Sequence, residues 1–429
     1  MQKVACVFSF KKSSWISCQK IVFNLHKAWD LNPDFELLNY NYSQESGATE
    51  LAQTAQEIFK QRPALLVILD HKPHPFLFLQ TLFKLYGQNP KPRIVFHIFG
   101  DFTLYYQDWE KLAPLLLGCQ VDFVVASPRQ KILLDKMLAP GHSARVCPFP
   151  VDPREFHFDP KDRAPQRKAW GIKDSERAFV FTGRLTRQKR IHSLIRAFAD
   201  VLGEQKIPTA HLFLYGNSDN IGDPFLGIWE SQGEYFRKID RIYQELPGKV
   251  RERIHFMGNV PNEELRAVYQ AADVLVNLSV HNDEDFGMSV AEAQASGLPC
   301  ILSDWGGLAG FELPQVAGAT CYVGVKIGKR SKVISLADTR RCLRSHLDPG
   351  TKLDRRKISQ LALQRHGIEA AHRKIEEILR EKQAPFAKFS PLLDRIAYKS
   401  KLTSTLYVNQ SREITNLYRE IYSSYVRNS

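Results

Sequence analysis

The sequence predicts an α/β protein of two domains, each built on a parallel sheet. Three observations carry this. Short apolar runs alternate with helical patterns along the whole chain, as in repeated strand–crossover–strand units. Those runs end in glycine or polar residues, which is where ligands sit in open parallel sheets. At 429 residues the chain is too long for one ordinary core, and no short-period repeat or low-complexity tract divides it.

In the first half, KVACVFSF (3–10) reads as a buried opening strand, and ALLVILD (64–70), PRIVFHIFGD (92–101) and VDFVVAS (121–127) as three more. The opening run is too short for the apolar region of a signal peptide, and Lys11-Lys12-Ser13-Ser14 follows it instead of a cleavage site. There is no G-x-G-x-x-G; Ser13 and Ser14 suit a helix cap. Ser127 before Pro128 reads as an N-cap and first helical residue. His97 and Asp101 lie at the end of the strand 92–101. A lone histidine in an apolar strand is commonly a core residue, but a strand end is also where ligands are met.

The segment 148–176 is rich in proline and charge, as linkers are. We place the first domain at 1–160, the second at 161–385 and a helical extension at 386–429. The last helix, EITNLYREIYSSY (413–425), carries an aromatic stripe of Tyr418, Tyr422 and Tyr425 suited to packing.

The second half carries the chemistry. FVFTGRLTRQKRIHSLIRAF (179–198) is a strand, a turn and a helix whose Ile191, Leu194, Ile195 and Phe198 form one apolar face. Gly183, Arg184 and Lys189 lie in the turn. HLFLYGNS (211–218) is a strand and glycine turn, and RIHFMGNVPNEELRAVYQAADVLVNL (253–278) reads strand, turn, helix, strand, with Asn262 as a helix cap. CILSDWGGLAGF (300–311) is the next strand and glycine turn. Between them stands EDFGMSVAEAQASGLP (284–299). Glu284 falls in a loop, and Glu292 inside a helix that starts near Gly287 or Met288 and stops at Gly297-Leu298-Pro299. A helix N-terminus offers N–H groups to an anion, and the two carboxylates can accept from hydroxyls on either side of it. An anion flanked by hydroxyl-bearing groups describes a nucleoside diphosphate sugar.

The segment 284–299 resembles the E-x7-E motif of retaining glycosyltransferases of the two-domain GT-B fold, family 4 in particular; Glu284, Phe286, Gly287, Met288, Glu292, Ala293, Ala295, Gly297 and Pro299 match. Asp285 stands where that family commonly has Gly, a residue that reaches positive φ at little cost. The 183–189 segment is similar to the family's G-R-L-x-x-x-K, with Arg190 in place of a following Gly. The resemblance implies two Rossmann-like domains facing across a cleft, with the C-terminal helix crossing back to the N-terminal domain. It implies that Arg184 and Lys189 grip the donor diphosphate, that Glu284 orients sugar hydroxyls and Glu292 the ribose. Gly183, Phe286, Gly287, Met288, Ser289 and Asn259 would complete the donor site. A histidine near His97 often touches the donor sugar in such enzymes, and Phe99 competes for that slot. Pro148-Phe149-Pro150-Val151-Asp152 departs from the family's P-N-G-V-D, and Phe10-Lys11-Lys12-Ser13-Ser14 from its Gly-Gly turn. The partners implied are a nucleotide sugar as donor substrate, no cofactor, and a glycan, lipid-linked or other hydroxyl acceptor, as in glycan or cell-envelope polysaccharide synthesis. The competing classes are a GT-B-like sugar-nucleotide epimerase and a non-catalytic nucleotide-sugar-binding subunit.

Seven scattered cysteines without C-x-x-C argue against disulfides or a zinc site and for a reducing, cytoplasmic setting. No apolar run reaches the roughly 20 residues that span a bilayer. The net charge of +13 suits an anionic acceptor or an anionic membrane on the cytoplasmic face, met by Lys11, Lys12, Lys20, Lys84 and Lys91; no nucleic-acid-binding motif accompanies it. Asp283 and Asp285 invite a metal reading, but Arg184 and Lys189 already supply the charge, so no metal is expected.

Overall fold

A computed structural model describes residues 1–9, 16–42, 46–69, 75–204, 210–220, 231–328, 331–347, 353–396 and 412–426. The expectations for Phe10, Lys11, Lys12, Ser13 and Ser14 lie outside the described residues. Most of the inner strands are near-continuous apolar runs, as expected of parallel sheets buried on both faces. In the first sheet the strands are β1 Gln2–Phe8, β2 Phe35–Asn41, β3 Leu65–Ile68, β4 Arg93–His97, β5 Val121–Val125 and β6 Arg145–Val146, ordered β2-β1-β3-β4-β5-β6 and all parallel. In the second they are β7 Arg177–Thr182, β8 Ala210–Tyr215, β9 Ile254–Gly258, β10 Val274–Asn277, β11 Cys300–Ser303 and β12 Thr320–Val323, ordered β12-β11-β10-β7-β8-β9, again all parallel. The second order reverses between β7 and β10, so no connection crosses above that pair of strand ends. An antiparallel hairpin, β13 Val325–Ile327 and β14 Lys332–Ile334, follows.

The chain divides into two units: Met1–Pro150 with 366–396, and Val151–Arg365 with 412–426. The break falls inside the proline-rich segment. The helix Ile368–Arg380 carries the return to the first unit. Its end is capped by Arg93, which donates to the carbonyls of Ile378 (3.0 Å), Leu379 (2.8 Å) and Glu381 (2.9 Å) while pairing with Asp122 at 2.6 Å. The last helix, Arg412–Tyr422, does not make that crossing; it belongs to the second unit. Its tyrosine stripe packs on Trp305, which lies 5.4 Å from the Tyr425 ring and 6.3 Å from that of Tyr422.

Two further expectations are revised. Asn262 is not a cap: it starts a 3₁₀ turn after Pro261, and its amide donates to Glu155 at 3.4 Å. Cys321 and Cys342 form a disulfide, because β12 and the helix Leu336–Ser345 bring their Cα atoms to 5.9 Å across 21 residues of chain. The cysteine argument for a reducing compartment loses its premise. Ser127, by contrast, does cap its helix, accepting from Gln130 N at 3.3 Å.

One cluster fixes the second unit below its strand ends. The short helix Leu265–Ala271 leaves its last carbonyls without intrahelical donors. Three guanidinium groups supply them. Arg163 Nη1 reaches Gln270, Ala271 and Ala272 (3.1–3.2 Å), and Arg167 Nη1 reaches Ala271 (2.9 Å). Arg355 donates to Tyr269 (2.8 Å), Gln270 (3.1 Å) and Ala272 (3.0 Å), and through Nε to Gly297 O (3.1 Å). Cations at a helix C-terminus also match its dipole. Asp273 pairs with Arg163 at 2.8 Å and accepts from Ala178 N at 2.8 Å. Burial, then the neighbouring Arg163 and Arg167, lower the Arg355 pKa to about 10 against the pull of Asp273. Arg355 thus ties the end of one helix to the end of the next, Met288–Ala295. Arg355→Met should lower unfolding stability by about 3 kcal/mol, since it orphans the Tyr269 and Gly297 carbonyls. Urea unfolding checks this; a loss below about 1 kcal/mol contradicts the capping role.

Candidate functional site

The ends of β7 and β10 form the site. Glycines let the chain turn sharply where β7, β8 and β9 finish. Gly216 has φ +127°, and a Cβ on it would fall 2.0 Å from Gly183 O. Its N–H donates to Gly258 O at 2.7 Å, and Gly183 N donates to Tyr215 O at 3.0 Å. Arg184 emerges beyond Gly183 and pairs with Asp219 at 2.8 Å, with 40% of its side chain exposed. A 3₁₀ turn, Arg187–Lys189, follows, and Arg190 closes it at φ +56°. The conformation is the one in which glycine is favoured, and here an arginine adopts it; Arg190 Nη2 donates to Lys332 O.

The loop 279–287 beyond β10 is held on several sides. Val280 N donates to Gln188 O (2.9 Å), Trp305 Nε1 to His281 O (2.7 Å), and Gly307 N to Glu284 O (2.8 Å). Gly306 and Gly307 make the last contact possible: a Cβ on Gly306 would lie 2.6 Å from Glu284 O, and on Gly307 2.2 Å from Asp285 O. Asp285 is not among the non-glycine residues with positive φ, so its side chain costs the loop no strain. Gly287 takes the left-handed role at φ +118°, with Leu308 Cδ2 2.6 Å from where a Cβ would stand.

Glu284, 8% exposed, accepts an ion-paired hydrogen bond from Lys189 Nζ. This pair joins the two halves of the site. Phe286 is buried on Phe311, with ring centroids 5.0 Å apart. Met288 and Ser289 begin the helix Met288–Ala295, half-buried, with Gly287 at its N-cap. Glu292, in that helix, is buried beside the hydroxyl of Tyr269, which in turn lies 2.9 Å from Thr182 Oγ1. Burial and then the Glu292 charge hold the Tyr269 phenol well above its usual pKa, so the phenol donates to the carboxylate and Thr182 donates to the phenol. That chain links Glu292 to the residue before Gly183. Asn259 is exposed just past β9.

Three members had no sequence signal. Thr182 and Tyr269 lie on the site only through long-range contact. His281 sits three residues before Glu284, with Nδ1 accepting from Asp283 N at 3.1 Å, so its proton is on Nε2. Burial, then Lys189, Lys332 and Arg184, hold it well below the usual histidine range and keep it neutral.

The first-unit candidates resolve differently. His97 is 3% exposed, accepts from Trp29 Nε1 at 3.2 Å, and is pushed down to about 3 by burial: it is a core residue. Asp101 is fully buried and caps a 3₁₀ turn, accepting from Thr103 N (2.9 Å) and Oγ1 (2.8 Å). Phe99 packs against Phe149 at 4.8 Å, so two departures from the family pattern touch each other.

Residues 162–329 match the family described as Glycosyl transferases group 1. An uncharacterized glycosyltransferase of Methanocaldococcus jannaschii is 31% identical over 207 residues, 48% of this chain and 47% of that protein. The N-acetyl-alpha-D-glucosaminyl L-malate synthase of Bacillus anthracis is 28% identical over 294 residues, 67% of this chain and 68% of that protein. The chain matches less than half the length of the first curated relatives (30–47%). Among solved structures, Anabaena HepE in complex with UDP and glucose has a TM-score of 0.61 at 15% identity, covering 89% of this chain and all of its own, which establishes a shared GT-B fold.

Gly307→Ala should cost about 2 kcal/mol, because the added methyl meets backbone that cannot yield without moving the Glu284 loop. Gly310→Ala, with nothing within 4 Å of the new methyl, is the control and should stay within about 0.5 kcal/mol of wild type. Equal urea midpoints for both variants would remove the close-approach argument.

Proposed function

We propose that this chain, whose residues 162–329 match the Glycosyl transferases group 1 family, transfers a sugar from a nucleoside diphosphate sugar to an acceptor hydroxyl, with retention at the anomeric carbon. One observation carries the reading: two cations, Arg184 and Lys189, and two buried carboxylates, Glu284 and Glu292, converge on the reversal point of one parallel sheet. The leaving diphosphate gains negative charge as the sugar–oxygen bond lengthens. Arg184 holds phosphate oxygens through its fork, Lys189 adds a point charge, and the N-terminus at Met288 adds a dipole end. Glu292 accepts from the ribose hydroxyls and Glu284 from the sugar hydroxyls. No side chain serves as nucleophile; the acceptor attacks the face that the diphosphate leaves, and the departing phosphate takes the acceptor proton. The acceptor is a glycan, a lipid-linked compound or another hydroxyl compound. The net charge of +13 suits an anionic acceptor or an anionic membrane surface. Among the described residues, no helix is long and apolar enough to cross a membrane.

Thermal-shift screening against UDP, GDP, ADP, dTDP and their sugars identifies the donor, since ligand at 100 times its dissociation constant adds about 2.7 kcal/mol. No shift with any of them contradicts the reading. Conversion of the nucleotide sugar to an isomer without acceptor would assign an epimerase instead.

Three outcomes are expected with that donor. Arg184→Ala and Lys189→Ala each lower turnover by about 10²-fold and weaken diphosphate binding; native turnover in both discards the phosphate clamp. Calorimetry separates the glutamates: Glu292→Gln weakens binding of the free diphosphate, whereas Glu284→Gln spares it and impairs the sugar donor. Equal effects on the two ligands contradict the assignment. Activity survives excess EDTA, because protein cations supply the charge; complete loss restored by Mn²⁺ would revive Asp283 and Asp285 as ligands. A modest stimulation by Mg²⁺ is compatible with both, since the ion also chelates released product.

A further inference from the structure

Asn282, two residues before Glu284, is fully buried. Two donors converge on its amide oxygen: Lys332 Nζ at 2.5 Å and Tyr418 Oη at 3.1 Å. Lys332 is 1% exposed and Tyr418 2%. Lys332 comes from β14, where its ammonium also lies 5.2 Å from the centroid of the Trp305 ring. Tyr418 comes from the last helix. Trp305 bridges to Val426 and donates to His281 O, and a Cβ on Gly306 would meet the Tyr425 ring at 3.2 Å. The segment 412–426 therefore reaches the Glu284 loop directly through Tyr418 and indirectly through Trp305. An apolar helix face would pack as well on Trp305. The polar contact does something packing does not: turning the amide over would set its NH₂ against an ammonium and a phenol proton, so Asn282 has one orientation.

We propose that the last helix is a positioning element of the donor site, with Tyr418 and Lys332 fixing Asn282 and, through it, the loop that carries Glu284. This rests on the reading of Glu284 as a contact to the donor sugar.

The full-length protein tests it. Tyr418→Phe keeps the ring and removes the hydroxyl. Hydrogen–deuterium exchange across 279–290 should accelerate, turnover of the donor found by screening should fall about 3- to 10-fold, and affinity for UDP should not change. Asn282→Ala should reproduce the loop exchange, and Tyr418→Phe should add nothing to it in the double variant. Native exchange and turnover in Tyr418→Phe, or additive effects in the double variant, overturn the proposal. Glu284→Gln is the reference: impaired turnover there beside native turnover in Tyr418→Phe overturns the positioning role alone, whereas native turnover in Glu284→Gln overturns the donor reading itself.

Discussion

The adjacency of β7 and β10 is the constraint on which the rest of the second unit depends. Strands 92 residues apart in sequence become neighbours, with Phe179 opposite Val274. Because the order reverses there, the chain leaves the two ends in opposite directions and the space above them stays uncrossed. One end presents Arg184 and Lys189, the other Glu284. The Lys189–Glu284 pair closes the arrangement, and Val280 N on Gln188 O repeats it in backbone. Neither loop is set by its own sequence. Each is shaped by the other and by glycines that let main chain approach main chain.

Charge explains the composition of that space. Burial first, and then Lys189, Lys332 and Arg184, keep His281 neutral, so the imidazole offers an N–H donor without adding a fourth charge. Asp219 and Glu284 balance two of the cations. On the proposed reading, an arriving diphosphate would meet preoriented donors instead of water, and Lys189 would divide its hydrogen bonds between the phosphate and Glu284. A carboxylate that shared its lysine with the diphosphate would then be held in place for the sugar beside it.

Much of this was legible in the sequence, for a reason. Gly287, Glu292 and Gly297 are local: N-cap, helix and helix stop all lie within 16 residues and their spacing marks them, while the likeness to the E-x7-E motif marks Glu284. The alternating strands and helices gave both sheets. What escaped detection is long-range. Tyr269 reads as one more apolar position of a short helix, and only the packed unit puts its hydroxyl on Glu292. His97 and Asp101 sit at a strand end of the expected type, yet Trp29 and Thr103 absorb their polar atoms. The cysteine count could not foresee that β12 and the helix after the hairpin would bring Cys321 to Cys342.

The last helix shows why a pattern can be right and its address wrong. A stripe of Tyr418, Tyr422 and Tyr425 demands an apolar partner, but any apolar surface meets that demand equally, because burial is non-directional. Direction comes from polar groups, which must be satisfied one by one. Trp305 answers the stripe, and the Asn282 oxygen answers the Tyr418 hydroxyl. The same logic runs through Arg355, whose guanidinium meets carbonyls from two helix ends that share no local sequence. Fold in this chain follows from apolar periodicity. The precision of the candidate site follows from a few long polar side chains, Arg355, Lys332 and Tyr418, each reaching from one segment to fix the backbone or amide of another.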